Sequence, residues 1–395
     1  SMAASVLFLL GALPGMATIP FWTLAAILGG LAFFRAKRTP APAPAAAPVA
    51  ASAEEIGWED VTPVDPLALE VGYRLIPLVE GEKGPLLARI RAVRKKLTQD
   101  LGFLIPAVHV LDNLSIDPNT YRILIKGVVV GEGKIYPERE LAINPGNVLG
   151  EIAGIETKDP AYGMEAVWIE PALAEHAKSL GYTVVDPATV AATQLSEAIQ
   201  AHAHELLGHE EAQALLDKLS KTSPKLVENL VPKTLPLVTV VKVLQNLLIE
   251  KVPVSDFRTI IEALAEGAVK TQDLDALTAH VRQQLCRFIS QRFFGSATEI
   301  SVLTLDPRLE QIVMQSLAAQ SESLEPSMAQ RLEKSLREAK LQADAKGQRV
   351  ALLVPPPLRR FLARFCLSRH IDLPVLAYNE LPDDKKVRVA ASVSG

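Results

Sequence analysis

The sequence predicts a multi-subdomain chain of mixed α+β and α/β class, in which the remnant of a transmembrane domain and a linker precede two small α+β subdomains, an all-helical subdomain and a C-terminal α/β subdomain. Three observations predict it. Short runs rich in Val and Ile alternate with stretches whose apolar residues recur at helical spacing. The stretch from Glu210 to Phe294 keeps helical spacing almost throughout. The first 34 residues carry no charge. With 395 residues, 49% of them hydrophobic, the chain can bury several small cores.

A membrane-spanning helix needs about 20 apolar residues. Met2 to Leu13 therefore reads as the end of one span, Pro14 to Pro20 as a tight connection, and Phe21 to Phe34 as most of another, in a chain that begins inside a larger membrane domain. Arg35, Lys37 and Arg38 follow the apolar run and none precedes it, the wrong order for an export signal. The same charges place everything after about residue 35 in the cytoplasm. Thr39 to Ala53 alternates Ala and Pro, has nothing to bury, and reads as a semi-rigid spacer. It ends at Trp58 among acids, which is either the first core residue of the next domain or a docking anchor.

Val71 to Val79 reads as a strand, Pro85 to Leu101 as a helix, and Ala107 to Leu111 and Tyr121 to Val130 as strands. Gly131-Glu132-Gly133-Lys134 lacks the spacing of a phosphate loop and reads as a hairpin turn. Leu141 to Ile143 precedes an Asn144-Pro145-Gly146 turn, and Ala166 to Ile169 and Tyr182 to Val185 are strands around a helix opened by Pro171. Asp186-Pro187 is a cap and first-turn pair opening a long helix that ends at Gly208. After the helical stretch come strands at Glu299 to Leu305, Val350 to Val354, Val375 to Tyr378 and Val387 to Ala391. Helices near Leu309 to Ala319, Met328 to Ala345 and Leu358 to Ser368 separate them, the pattern of a partly parallel sheet.

Composition excludes several functions. A net charge of −4 gives no footprint for nucleic acid. Cys286 and Cys366 form neither a disulfide framework nor a CxxC site. A zinc protease needs two histidines four apart on one helix face, whereas His204 and His209 are five apart and diverge by roughly 140° at about 100° per residue. No G-x-S-x-G elbow is present. Catalytic residues, metal and cofactors are all expected to be none. The basic run Arg89, Arg91, Arg94, Lys95, Lys96 reads as the solvated face of a helix, with a membrane-surface or partner contact as the alternative.

Several strings, in order, carry a resemblance: GWEDV at 57–61, VDPLALEVGYRLIPLV at 64–79, RIRAVRKKLTQDLGF at 89–103, YRILIKG at 121–127, LAINPG at 141–146, VLQNLLIEKVPVSDFRTIIEALAE at 243–266 and LARF at 362–365. Together they resemble the export-gate proteins of bacterial type III secretion, the FHIPEP family, in its flagellar branch. The resemblance implies a transmembrane remnant (1–34), a linker (35–64), and four subdomains at 65–138 plus 187–207, 139–186, 208–295 and 296–395. It implies an inner-membrane protein whose cytoplasmic part forms a ring, usually of nine, and hands substrates to the export channel. The implied partners are flagellar export chaperones with bound substrates, other export apparatus proteins, copies of the chain itself and the membrane. The alternatives are a virulence-type gate and, further off, a membrane-bound metallohydrolase.

Family members dock partners in a hydrophobic dimple between the first two subdomains, and the matching positions here are Asp159, Tyr162 and Thr193, with Tyr162 where relatives often carry Phe. A residue before Pro is held extended, Tyr offers an apolar face with a polar tip, and Gly163 permits close approach. Apart from the resemblance, Asp159 reads as a turn residue and Thr193 as a helix residue with its hydroxyl in solvent. The family's linker docks into a neighbouring subunit's dimple, and Glu55, Trp58 and Asp60 match that segment, which favours the anchor reading of Trp58.

Overall fold

The computed structural model describes residues 63–80, 84–318 and 324–394, with Ile27 and Phe33 as isolated helical residues before them. Glu55, Trp58, Asp60 and nearly all of the expected membrane segment lie outside the described residues. No described helix is long and apolar enough to cross a membrane. Ser1–Pro63 and Val64–Gly395 are separate units, and the elements described below belong to the second.

The first sheet takes β1 (Leu67–Val71), β2 (His109–Asp112), β3 (Thr120–Ile125) and β4 (Val128–Lys134) in the order β2-β1-β3-β4. The β1–β2 pair is parallel and the others antiparallel. The strand expected over Val71 to Val79 ends at its first residue; a 3₁₀ turn (Tyr73–Leu75) and α1 (Ile76–Val79) follow. Gly72 lies so close to the Asp117 carbonyl that a Cβ would stand 2.4 Å from its oxygen, and Pro77 has no N–H for a ladder. The Tyr121 to Val130 segment is two strands, turned at Lys126-Gly127, both with positive φ (49° and 79°) as a two-residue hairpin requires. Gly131 to Lys134 is therefore strand interior, not the turn. Gly133 makes room for the Tyr121 hydroxyl opposite, since a Cβ there would lie 2.5 Å from it.

The parallel β1–β2 crossover is α2 (Pro85–Leu101), which buries Leu86, Ile90, Leu97 and Leu101. Its basic face is only partly solvated: Arg89 pairs with Asp186 at 2.7 Å and Arg94 donates to the Ile105 carbonyl at 2.8 Å.

The second sheet is antiparallel, with β5 (Glu140–Ile143), β6 (Ile155–Lys158), β7 (Glu165–Ile169) and β8 (Thr183–Val185) in the order β6-β7-β5-β8. Pro171 opens a 3₁₀ turn that continues into α3 (Ala174–Ser179). Buried Trp168 stands edge-on to Tyr136, centroids 5.6 Å apart. From this sheet the chain enters α4 (Pro187–Ala201), capped by Asp186, whose carboxylate accepts from Thr189 N at 3.0 Å. Val190, Ala191, Leu195 and Ile199 seat α4 in the main core. The single helix expected to reach Gly208 breaks at His202 (φ −109°, ψ 18°), where the short α5 (Ala203–Leu206) begins.

Six helices follow: α6 (His209–Ser220), α7 (Pro224–Leu230), α8 (Leu237–Ile249), α9 (Phe257–Ala268), α10 (Leu274–Gln284) and α11 (Cys286–Phe294). Asp256 and Asp273 cap α9 and α10 through Thr259 N and Ala276 N. The last sheet is wholly parallel, in the order β11-β10-β9-β12, from β9 (Glu299–Leu305), β10 (Val350–Val354), β11 (Val375–Ala377) and β12 (Lys386–Val393). The helices α12 (Pro307–Ala318), α13 (Pro326–Ala345) and α14 (Pro356–Ser368) lie between its strands in sequence. Both faces are covered, as parallel sheets require. Ile300, Val302, Ala351, Leu353 and Leu376 join the main core, whereas Leu303, Leu305, Leu352 and Val354 form a second core with α12 to α14.

A charged cluster joins the helical layer to this sheet. Arg282 on α10, 1% exposed, makes two 2.8 Å bonds to Glu380 and approaches Glu250 at the end of α8 at 2.8 Å. Arg359 on α14 also pairs with Glu250 and lies 3.6 Å from Glu380.

Candidate docking site

The β6–β7 connection runs from Asp159 to Met164 and folds around its first residue. Asp159 N donates to the Met164 carbonyl and Gly163 N to the Asp159 carbonyl, both at 2.8 Å, and the Asp159 carboxylate accepts from Tyr162 N at 2.8 Å. Gly163 has φ +69°, a conformation that side chains disfavour. The loop thereby sinks Asp159 to 4% exposure and pushes Tyr162 outward to 60%.

Tyr162 then reaches across to α4, where its hydroxyl donates to Glu197 Oε1 at 3.0 Å. Partial burial, and the hydrogen bond and charge of Glu197, push its phenol above the ordinary tyrosine value. Thr193 lies one helical turn before Glu197, half-buried, with its hydroxyl donated back to the Thr189 carbonyl at 2.8 Å and not left to solvent. Asp159 and Tyr162 are thus in direct contact, while Thr193 joins them only through the helix face it shares with Glu197.

Below the loop lies a buried polar pair. Tyr121 on β3, fully buried, donates to Gln194 Oε1 of α4 at 2.5 Å, and Gln194 Nε2 donates to the Glu132 carbonyl at 3.3 Å. Burial, and then the nearby negative charge of Asp159, raise the Tyr121 phenol far above its ordinary value. Asp159 of the second sheet therefore acts electrostatically on the core of the first. Tyr121, Gln194 and Glu197 were missed in the sequence. Glu197 carries a usable signal, because it follows Thr193 by four residues and so shares its helix face; the other two become visible only once β3 and α4 are packed.

The histidine cluster is arranged differently. His202 Nδ1 is 2.7 Å from Glu205, His204 is 3.9 Å from the same carboxylate, and His209 opens a new helix beyond Gly208. Among the described residues no group of three or more His, Cys, Asp or Glu side chains is placed to hold a metal ion. Burial pushes the His204 imidazole below its ordinary value against the pull of Glu205. Cys366 is a buried free thiol that burial pushes up to about 12. It borders a 240 Å³ cavity that Phe293, Ile371 and Val375 also line.

Comparison with known proteins places this geometry. The flagellar biosynthesis protein FlhA of Salmonella typhimurium is 46% identical over 399 residues, covering 100% of this chain and 58% of that protein. The FlhA of Bacillus subtilis is 38% identical over 330 residues, 82% of this chain and 49% of the relative. The chain thus spans about half the length of these relatives. Among solved structures, the Chlamydia pneumoniae CdsV protein shares the fold at 24% identity and a TM-score of 0.72, covering 86% of this chain and 99% of that one. CdsV in complex with CdsO gives 25% and 0.74, covering 85% and 99%. The nonameric EPEC SctV-C gives 18% and 0.65, covering 84% and 99%. The model of the FHIPEP family matches residues 1–386, nearly the full length, and the chain belongs to that family.

Proposed function

We propose that the chain is part of a flagellar type III protein export apparatus, in which its folded part is a docking platform for export chaperones carrying their substrates. The observation that carries this reading is the surface at Asp159, Tyr162 and Thr193: an exposed aromatic ring between a sunken carboxylate and a helix face, clamped by the Tyr162–Glu197 hydrogen bond. Such a surface suits the binding of another polypeptide, because an amphipathic ring beside polar groups is the usual make-up of an interface anchor. The identity of 46% to flagellar relatives, against 25% to CdsV, favours the flagellar over the virulence system.

In this reading residues 1–34 anchor the chain in the cell membrane and the rest faces the cytoplasm. The segment with Glu55, Trp58 and Asp60 docks on the same surface of a neighbouring copy. The chain assembles as a ring of nine, in the manner of the nonameric EPEC SctV-C, and meets other apparatus proteins, as CdsV meets CdsO. The subdomain divisions at 65–138 plus 187–207, 139–186, 208–295 and 296–395 belong to the same proposal.

The test is titration of the full chain in detergent with a purified flagellar chaperone–client complex. Asp159→Ala and Thr193→Met are each expected to weaken binding at least about tenfold, the scale of a central interface residue. Wild-type affinity in both variants would remove the site.

A further inference from the structure

Between His202 and Gly208 the chain breaks twice. α4 stops at His202, and the short α5 ends before Gly208, whose extended backbone (φ −112°, ψ −160°) leads into α6. Few bonds hold this joint: Glu205 N donates to the His202 carbonyl and Gln245 Nε2 of α8 donates to the Leu207 carbonyl, both at 2.9 Å. Against it lies a groove of about 1020 Å³, lined by Phe103, Lys126, Glu205, Leu206, Gly208 and Leu215, so the joint has room to move on that side.

His204 sits within α5. Its side chain is 30% exposed, yet Nδ1 is sealed from solvent and meets no hydrogen-bond partner, and Nε2 stands 3.9 Å from Glu205 Oε1, beyond hydrogen-bond reach. A neutral ring tolerates this, with its proton on Nε2 and a bare lone pair on Nδ1. An imidazolium carries N–H on both nitrogens, so one donor would face a sealed position with no acceptor. The surrounding charge offers little relief. Glu205 favours the proton, but His202 Nδ1 already holds its carboxylate at 2.7 Å. The His202 ring lies 6.4 Å from that of His204, and Lys126 of the β3–β4 hairpin adds a positive charge. Of the elements packed around the joint, α8 carries the exposed Lys242, Glu197 on α4 is held by Tyr162, Glu211 on α6 is held by Gly208 N, and His209 and Glu210 are exposed.

We propose that the joint between α4 and α6 is a proton-operated latch, in which a proton on His204 unseats α5 and the joint opens toward the groove until both ring nitrogens reach water. The closed joint is the state at neutral pH. Burial, opposed by Glu205 and reinforced by His202 and Lys126, holds the imidazole below its ordinary 6.5. Acidification below that value therefore favours the opened joint, where the ring regains its ordinary basicity. The latch lies at the C-terminal end of the helix that bears Thr193 and Glu197, and it stands independently of what docks there.

Backbone hydrogen exchange of the full chain in detergent reads the latch, at about pH 7.5 and about pH 5.5, either side of the histidine range, after correction for the intrinsic pH dependence of exchange. Peptides covering Ala203 to Leu207 are expected to lose protection severalfold on acidification, while those covering α9 keep theirs. Lys126→Gln, on the exposed hairpin, removes a charge that opposes the proton and is expected to move the midpoint of opening to higher pH. Glu205→Gln removes the charge that favours it and is expected to move the midpoint to lower pH. His204→Gln is expected to abolish the pH dependence. Unchanged protection of α5 across this range, midpoints unmoved in both charge variants, or an equal loss in α5 and α9 would overturn the proposal, the last because it reports unfolding of the whole.

Discussion

Asp159 serves its own loop before it serves any partner. Its carboxylate holds Tyr162 N and its backbone ties both ends of the connection, so Asp159→Ala removes a hydrogen bond that shapes the surface proposed for docking. Thr193→Met acts otherwise: it removes the hydroxyl's bond to the Thr189 carbonyl and adds bulk to the helix face shared with Glu197. His204 carries a separate residue-scale prediction. Burial depresses its pKa below 6.5, with His202 and Lys126 adding to the effect and Glu205 opposing it. The folded state therefore favours neutral imidazole, and below pH 6.5 the unfolded chain takes up the proton first. Stability is full above that pH, declines as pH falls through the window between the unfolded and folded values, and then levels off. His204→Gln is expected to flatten the fall of melting temperature from neutral to mildly acidic pH; an unaltered slope would refute the assignment. Glu205, held below 4.5 by its His202 hydrogen bond, acts in a lower window, where its stabilisation is lost as pH falls.

At the scale of elements, helix ends and close approaches decide the structure. Gly102 ends α2 at φ +88°, and a Cβ there would lie 2.3 Å from the Ser255 backbone, where Val254 N bonds the Leu101 carbonyl. Gly102→Ala combines a left-handed conformation with a backbone clash and is expected to cost more than about 1 kcal/mol in denaturant unfolding. Wild-type stability in that variant would show that the loop yields. Much at this scale was legible. The strands at Glu299–Leu305 and Val350–Val354 were readable to the residue because each is an apolar run stopped by Asp306-Pro307 or Pro355-Pro356. Edge strand β6 was not, because it is short and mostly exposed and carries no alternating pattern. Residues 73–79 misled for the opposite reason: Leu75, Ile76, Leu78 and Val79 have strand composition, but the Gly72 contact and Pro77 turn the chain into a helix.

At the scale of the whole molecule, sequence reading loses its hold where distant residues meet. Asp159, Tyr162 and Thr193 were found through family resemblance; by local pattern they are a turn and a helix face. The pairing of Arg282 with Glu380, 98 positions apart, has no sequence signature at all. Burial opposes the Arg282 charge, but Glu250 and Glu380 outweigh it and raise its pKa above the ordinary arginine value. Arg282→Met leaves two sunken carboxylates sharing Arg359, and is expected to destabilise the fold by about 3–5 kcal/mol, the usual penalty for removing one side of a buried pair. Chemical denaturation measures it, and a loss under about 1 kcal/mol would mean that water fills the gap.

That cluster also restricts how the molecule can flex. Its members come from the ends or interiors of α8, α10 and α14 and from the turn after β11, so prising the last sheet away from the helical layer would strand four ionised groups in a medium that solvates them poorly. The seam between those layers is locked. Any opening of the fold is expected to be taken up elsewhere, and the exposed phenol–carboxylate contact between Tyr162 and Glu197 is a cheaper place to yield.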